Sequence, residues 1–158
     1  MAIEIERKFL INETLWKRVK PQKVLYIKQA YLSNDGNTTL RVRIANDKSY
    51  ITIKGKTTNL TRPEFEYEIP LADAEELMRL SISSIIEKKR HIVYYRGKKW
   101  EVDEFLTDNE GLFVAEIELN SEKEKFDFPD WIDKEVSNDP HYRNTYLAKS
   151  PFSTWENQ

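Results

Sequence analysis

Apolar and charged side chains alternate from the start of the chain. In Ile3-Glu4-Ile5-Glu6-Arg7-Lys8-Phe9, an extended backbone puts Glu4, Glu6 and Lys8 on one face and Ile3, Ile5 and Phe9 on the other, because successive strand side chains point to opposite sides. The same period of two predicts eight strands, over 3–9, 24–32, 39–45, 49–55, 64–69, 86–96, 99–105 and 112–119. Helical signals are few. Asn12 is placed to cap a short helix through Trp16, Asp73 with Glu76 reads as a capping box ahead of Leu77 and Leu80, and Ser121 with Glu124 reads as another. A last short helix is expected after Asn144, stopping near Ser150-Pro151. Short connections such as Asn46-Asp47 and Arg96-Gly97 join neighbouring strands into an antiparallel meander.

The charged face repeats from strand to strand. Arg41 and Arg43 share a face of the third strand and Lys54 lies on the fourth; Glu64 and Glu66 lie on the fifth, Lys88 and Arg90 on the sixth, Asp103 on the seventh, Glu116 and Glu118 on the eighth. Lys28 is the second strand's contribution to the same set. One solvated face on an antiparallel sheet is ordinary. Here, however, acids pair with acids and bases with bases two residues apart, and like charges so placed repel unless something lies between them. Two strand carboxylates about 7 Å apart suit a hard divalent cation, and lysines and arginines suit phosphate oxygens. The short helices offer apolar faces that would cover the outside, which makes the ionic side the interior. Eight strands are enough to close a barrel.

Composition narrows the chemistry. The 158 residues suit a single domain, expected over 1–150 with a C-terminal tail at 151–158. A third of them are charged, yet the net charge is −2, so nothing favours a nucleic-acid surface. The lack of cysteine excludes a thiolate site, the two histidines argue against zinc, and any metal is expected to be held by oxygen. No apolar run is long enough for a membrane helix and no signal segment is evident, so a cytoplasmic location is expected. Trp16, Trp100, Trp131 and Trp155 read as outer packing or tail residues, His91 as outward-facing and His141 as a loop residue.

Glu4-x-Glu6-x-Lys8, Leu40-Arg41-Val42-Arg43, Thr52-Ile53-Lys54, Glu64-Phe65-Glu66, Glu87-Lys88-Lys89-Arg90, Asp103, Ala115-Glu116-Ile117-Glu118-Leu119 and Tyr142-Arg143-Asn144 follow one another in an order that resembles the CYTH superfamily, the triphosphate tunnel metalloenzymes. The resemblance spans roughly residues 2–149. It implies a mainly β (α+β) fold: an eight-stranded closed antiparallel β-barrel forming a tunnel, with a few short helices packed outside. It implies Mg²⁺- or Mn²⁺-dependent chemistry on a small-molecule triphosphate, without nucleic acid or membrane, and leaves room for a homodimer. By the same resemblance Glu4, Glu6, Glu116 and Glu118 are metal ligands, with Asp103 a further acid near the metals. Lys8, Lys28, Arg41, Arg43, Lys54, Lys88 and Arg90 form the triphosphate clamp. Lys8, Lys88, Glu64 and Glu66 are the expected catalytic residues, the two glutamates either binding a second metal or orienting the bases.

Within the superfamily, class IV adenylyl cyclases usually carry a His-Phe-like element ahead of the first acidic motif and need an adenosine pocket. Only three residues precede Glu4, so that element is expected to be missing. Thiamine triphosphatases tend to be longer, and no aromatic cradle for thiamine is evident. The chain instead resembles the short bacterial inorganic triphosphatases, which implies tripolyphosphate as substrate. A polyphosphate-binding module without activity is the non-enzymatic alternative; the intact motif argues against it.

Overall fold

The computed structural model describes residues 3–155. Its strands are β1 (Ile3–Ile11), β2 (Lys23–Asn34), β3 (Thr39–Ala45), β4 (Lys48–Lys54), β5 (Thr61–Ile69), β6 (Ile86–Tyr95), β7 (Lys98–Phe105), β8 (Phe113–Glu118) and β9 (Ile132–Glu135), with helices α1 (Glu13–Trp16), α2 (Leu71–Met78) and α3 (Asn144–Lys149). Neighbours run in the order β5-β4-β3-β2-β6-β7-β8-β1, every pairing antiparallel, and β1 returns to β5 through Ile3↔Pro63, Glu4↔Arg62 and Ile5↔Thr61. That pairing closes the barrel and leaves none of its eight strands with an open edge. β9, which the alternation does not announce, adds outside the ring along the end of β1.

Register decides which residues meet inside. Glu6 lies directly across from Glu118 and Lys8 from Glu116; Tyr31, Arg41, Thr52 and Glu66 form one row across β2 to β5. The opposite parity faces out. Phe9, Trp100, Val102, Ala115 and Ile117 form the outer core, covered by Trp16 of α1 and by Trp131. Trp100 is fully buried there, with ring centres 5.7 Å from Phe9 and 5.8 Å from Trp131. Removing roughly 200 Å² of such a ring from water contributes about 5 kcal/mol. A second outer cluster puts Ala30 and Val42 under Ala74 and Met78 of α2.

The third cluster is internal. Tyr31, Ile86, Phe105 and Val114 point inward at one end of the barrel, where Leu147 and Ala148 of α3 seal against them. So α3 caps an end of the barrel, whereas all the helices were expected on its outside. Phe152 and Trp155 pack onto the same cluster.

Local signals differ in how they are used. Asn12 caps α1, accepting from the Leu15 N–H at 3.1 Å, and the turn at Arg96-Gly97 uses positive φ at both residues, as a two-residue hairpin requires. The Asp73/Glu76 box does not form. Pro70, with φ −60°, starts α2 at Leu71 without a side-chain cap. At Ser121 no helix follows; the Glu124 carboxylate accepts the Asn120 N–H at 2.6 Å, and Phe126 continues into the outer core.

Candidate functional site

Because the inward parity of nearly every strand is ionic, the barrel encloses a charged cavity of about 310 Å³ rather than an apolar core. Its two signs are sorted onto different walls. Glu4 and Glu6 of β1, Glu116 and Glu118 of β8, and Glu101 of β7 line one side; Arg41 and Arg43 of β3 and Lys88 and Arg90 of β6 line the other. Lys8, Lys54, Glu64 and Glu66 also face the lumen.

On the basic side, a buried anion organises the cations. Asp103, fully buried, accepts from Arg90 at 2.8 and 2.9 Å and lies 2.8 Å from the Lys88 ammonium. Two cations on one carboxylate hold it well below the usual range although burial alone would raise it. Burial pushes the Lys88 ammonium down to about 7 despite Asp103, with Arg90 and Arg43 adding repulsion. Arg43 is pushed down to about 9 by burial and by Arg41 and Arg90. Its Nε donates to Gln29 Oε1 at 3.0 Å, and its terminal nitrogens have no acceptor among the described residues. Arg41 donates through Nη2 to Thr52 at 3.1 Å, while its Nε is buried and unpaired. This wall presents more donors than the protein satisfies, which is the electrostatic complement of a polyanion.

On the acidic side the imbalance is reversed. Glu4 is held by Lys54 at 2.9 and 3.1 Å, and Lys8 stands 3.7 Å from Glu6 and 3.8 Å from Glu116. Those carboxylates keep Lys8 charged against its burial. Glu118 has no cationic partner among the described residues. Burial, then Glu4, Glu64, Glu6 and Glu101, push its carboxyl up to about 7. Among the described residues no three of these acids converge tightly enough to ligate an ion as their side chains stand. The donor set nonetheless fits a hard divalent cation: oxygen ligands only, two of them opposed across a strand pair, and a carboxylate whose charge nothing in the protein balances.

Thirteen of the fourteen candidate residues point inward, although one of the thirteen, Asp103, is taken up entirely by Lys88 and Arg90 and not by the acid wall. The fourteenth, Lys28, does not: it pairs across from Ile44 and Glu87, with the parity of Ala30, on the outer face. The inward set of β2 is Ile27, Gln29 and Tyr31, and Gln29 supplies that strand's contact with the clamp. Glu101, Arg62, Arg143 and Asn144 line the cavity as well. Glu101 is legible as the residue two before Asp103; Asn144 comes from a helix whose seat inside the barrel end no periodicity reveals. Neither histidine enters: His91 is outside, 3.1 Å from Glu104 and edge-on to Trp16, and His141 bonds Asp139 at 2.6 Å.

Comparison with known proteins agrees with this geometry. The CYTH domain model matches residues 2–148. An inorganic triphosphatase of Acetivibrio thermocellus is 45% identical over 157 residues, covering 99% of each chain. Another from Nitrosomonas europaea is 30% identical over 154 residues, covering 93% of this chain and 97% of that one. Among solved structures, the inorganic triphosphatase NE1496 superposes with a TM-score of 0.65 at 28% identity, over 94% of this chain and 95% of the other. A closed barrel with sorted charge, matched along nearly its whole length, places this chain in the CYTH domain family.

Proposed function

We propose that the chain hydrolyses inorganic tripolyphosphate to pyrophosphate and phosphate, with Mg²⁺ or Mn²⁺ as cofactor. The observation that carries this reading is the charge sorting: an acid wall with an unbalanced carboxylate faces a wall of guanidinium and ammonium groups with more donors than the described residues accept. Relatives named as inorganic triphosphatases over the full length support it.

Glu4, Glu6, Glu116 and Glu118 would hold the cation, Glu4 after release from Lys54. When bound, it would neutralise phosphate charge and acidify a water nucleophile. Arg41, Arg43, Lys54, Lys88 and Arg90 grip the phosphate oxygens, and Lys8, between the walls, reaches a phosphate beside the metal ligands. Phosphoryl transfer asks a protein chiefly for position and charge, which these groups supply. Asp103 belongs with the clamp as its anchor, since both its oxygens are engaged by Lys88 and Arg90. Glu64 and Glu66 orient the bases: Glu64 sits 3.3 Å from Lys54, and Glu66 accepts from Thr52 beside Arg41. Among the described lining residues Tyr31 is the only aromatic ring, so a nucleoside finds charge where it needs stacking.

Phosphate release from tripolyphosphate, ATP and thiamine triphosphate, assayed side by side with Mg²⁺ and Mn²⁺, tests this. Tripolyphosphate is expected to have the highest kcat/KM; a tenfold or greater preference for either organic triphosphate would overturn the assignment.

A further inference from the structure

One buried polar chain on the lumen wall serves no strand ladder. Gln29 is fully buried on β2. Its Oε1 accepts from Arg43 Nε at 3.0 Å, and its Nε2 donates at 3.0 Å to Asn144 Oδ1 at the start of α3. The same Asn144 oxygen accepts from Lys88 Nζ at 2.9 Å. Polarity along this chain is forced, because arginine only donates and so fixes the Gln29 amide, which in turn fixes Asn144 with its oxygen toward Lys88.

The relay also sets where the free donors point. Lys88 has three N–H bonds; Asp103 and Asn144 take two, and the third has no oxygen or nitrogen acceptor among the described residues, the Phe105 ring centre standing 5.4 Å from the ammonium. Arg43 is tethered through Nε alone, which leaves its terminal fork for the lumen. Asn144 is itself fixed, since α3 is seated by Leu147 and Ala148 against Ile86 and Phe105.

We propose that Asn144 and Gln29 are positioning residues, an amide relay that aims Lys88 and Arg43 at the phosphates and makes the C-terminal helix part of the active site. The inference rests on the triphosphatase reading, with Lys88 and Arg43 in its clamp. Each amide acts through a different cation. Gln29→Leu frees Arg43 while leaving Asn144 on Lys88, whereas Asn144→Leu frees Lys88 while leaving Arg43 on Gln29.

The test is a pair of double-mutant cycles on tripolyphosphate hydrolysis. Asn144→Leu is expected to lower kcat/KM about 100-fold, the scale of a misplacement near 1 Å, and to have no further effect beyond about twofold once Lys88→Met is present. Gln29→Leu is expected to raise KM with kcat within about twofold, and to be silent in an Arg43→Met background. Losses that multiply in both double mutants would assign the amides to the seating of α3 alone and overturn the relay. If Asn144→Leu does not fold, the Gln29 cycle decides by itself. A wild-type rate with Lys88→Met and Arg43→Met unimpaired would instead overturn the clamp beneath it.

Discussion

Replacing Asp103 by asparagine keeps its size and removes the one charge that two buried cations share. Lys88 and Asp103 are each 1% exposed at the side chain and Arg90 9%, so water cannot take the carboxylate's place. Breaking a buried pair costs about 3–5 kcal/mol. The low end applies, because Lys88, already pushed to about 7, sheds its proton once Asp103 is neutral, and Arg90 keeps Glu101 at 3.5 Å and Glu116 at 3.9 Å. A loss of about 3 kcal/mol lowers Tm by about 6–12 °C in a domain of this size. Urea unfolding at pH 7 measures it, and Lys88→Met in the same background should recover part of it, since the lysine that is protonated in the unfolded chain and must fold neutral is then gone. The pH dependence has a definite sign. Asp103 is depressed in the folded state, so its contribution is full above the unfolded carboxylate value of about 3.9 and is lost as pH falls through the folded one. In a Lys88→Met background, where no lysine titrates beside it, the stability gap that Asp103→Asn opens should thus stay constant from pH 7 to about 5 and close only in acid. A loss below about 1 kcal/mol at pH 7, or a gap that widens in acid, would refute the anchor role.

Three other substitutions separate the walls from the scaffold. Glu118→Gln at pH 8 should leave the urea midpoint no lower than wild type, because it relieves repulsion, while the Mg²⁺ concentration for half-maximal activity rises tenfold or more; unchanged Mg²⁺ dependence would remove Glu118 from the metal set. Lys28→Ala should leave KM for tripolyphosphate within about twofold, since Lys28 is outside the barrel, whereas Arg43→Ala should raise it severalfold; equal effects would put Lys28 back in the clamp. Trp100→Ala should cost about 3–5 kcal/mol in urea unfolding with KM little changed, because its ring lies wholly in the outer core.

Much of the barrel was legible because a two-sided strand writes its two environments in alternate residues. Glu4 to Phe9 and Ala115 to Leu119 show this without help from tertiary context, and the charged parity identified the interior once apolar helices were available to cover the outside. What failed was long-range or local competition. Lys28 was assigned by its charge, yet neighbouring Ala30 must face α2, which turns Lys28 outward and Gln29 inward. Asp73 and Glu76 carry a capping pattern that Pro70 pre-empts one turn earlier. β9 is four residues with three charges, too short for a period, and forms because β1 runs past its pairing with β5, which ends at Ile5 and leaves that edge free at Phe9 to Ile11. Asp103 has the chemistry of a metal ligand, and only its two partners at 2.8 Å from β6 show that its oxygens are taken. The Asn144 relay joins residues 115 apart and has no sequence signature of its own.

Anion-exchange separation of the products of tripolyphosphate, incubated with enzyme and Mg²⁺ and in parallel with excess EDTA, addresses the central claim most directly. The sorted walls predict pyrophosphate and phosphate in equal amounts with Mg²⁺ and neither with EDTA. Equal cleavage in EDTA would contradict the metal wall, and no cleavage under either condition would contradict the triphosphatase assignment itself.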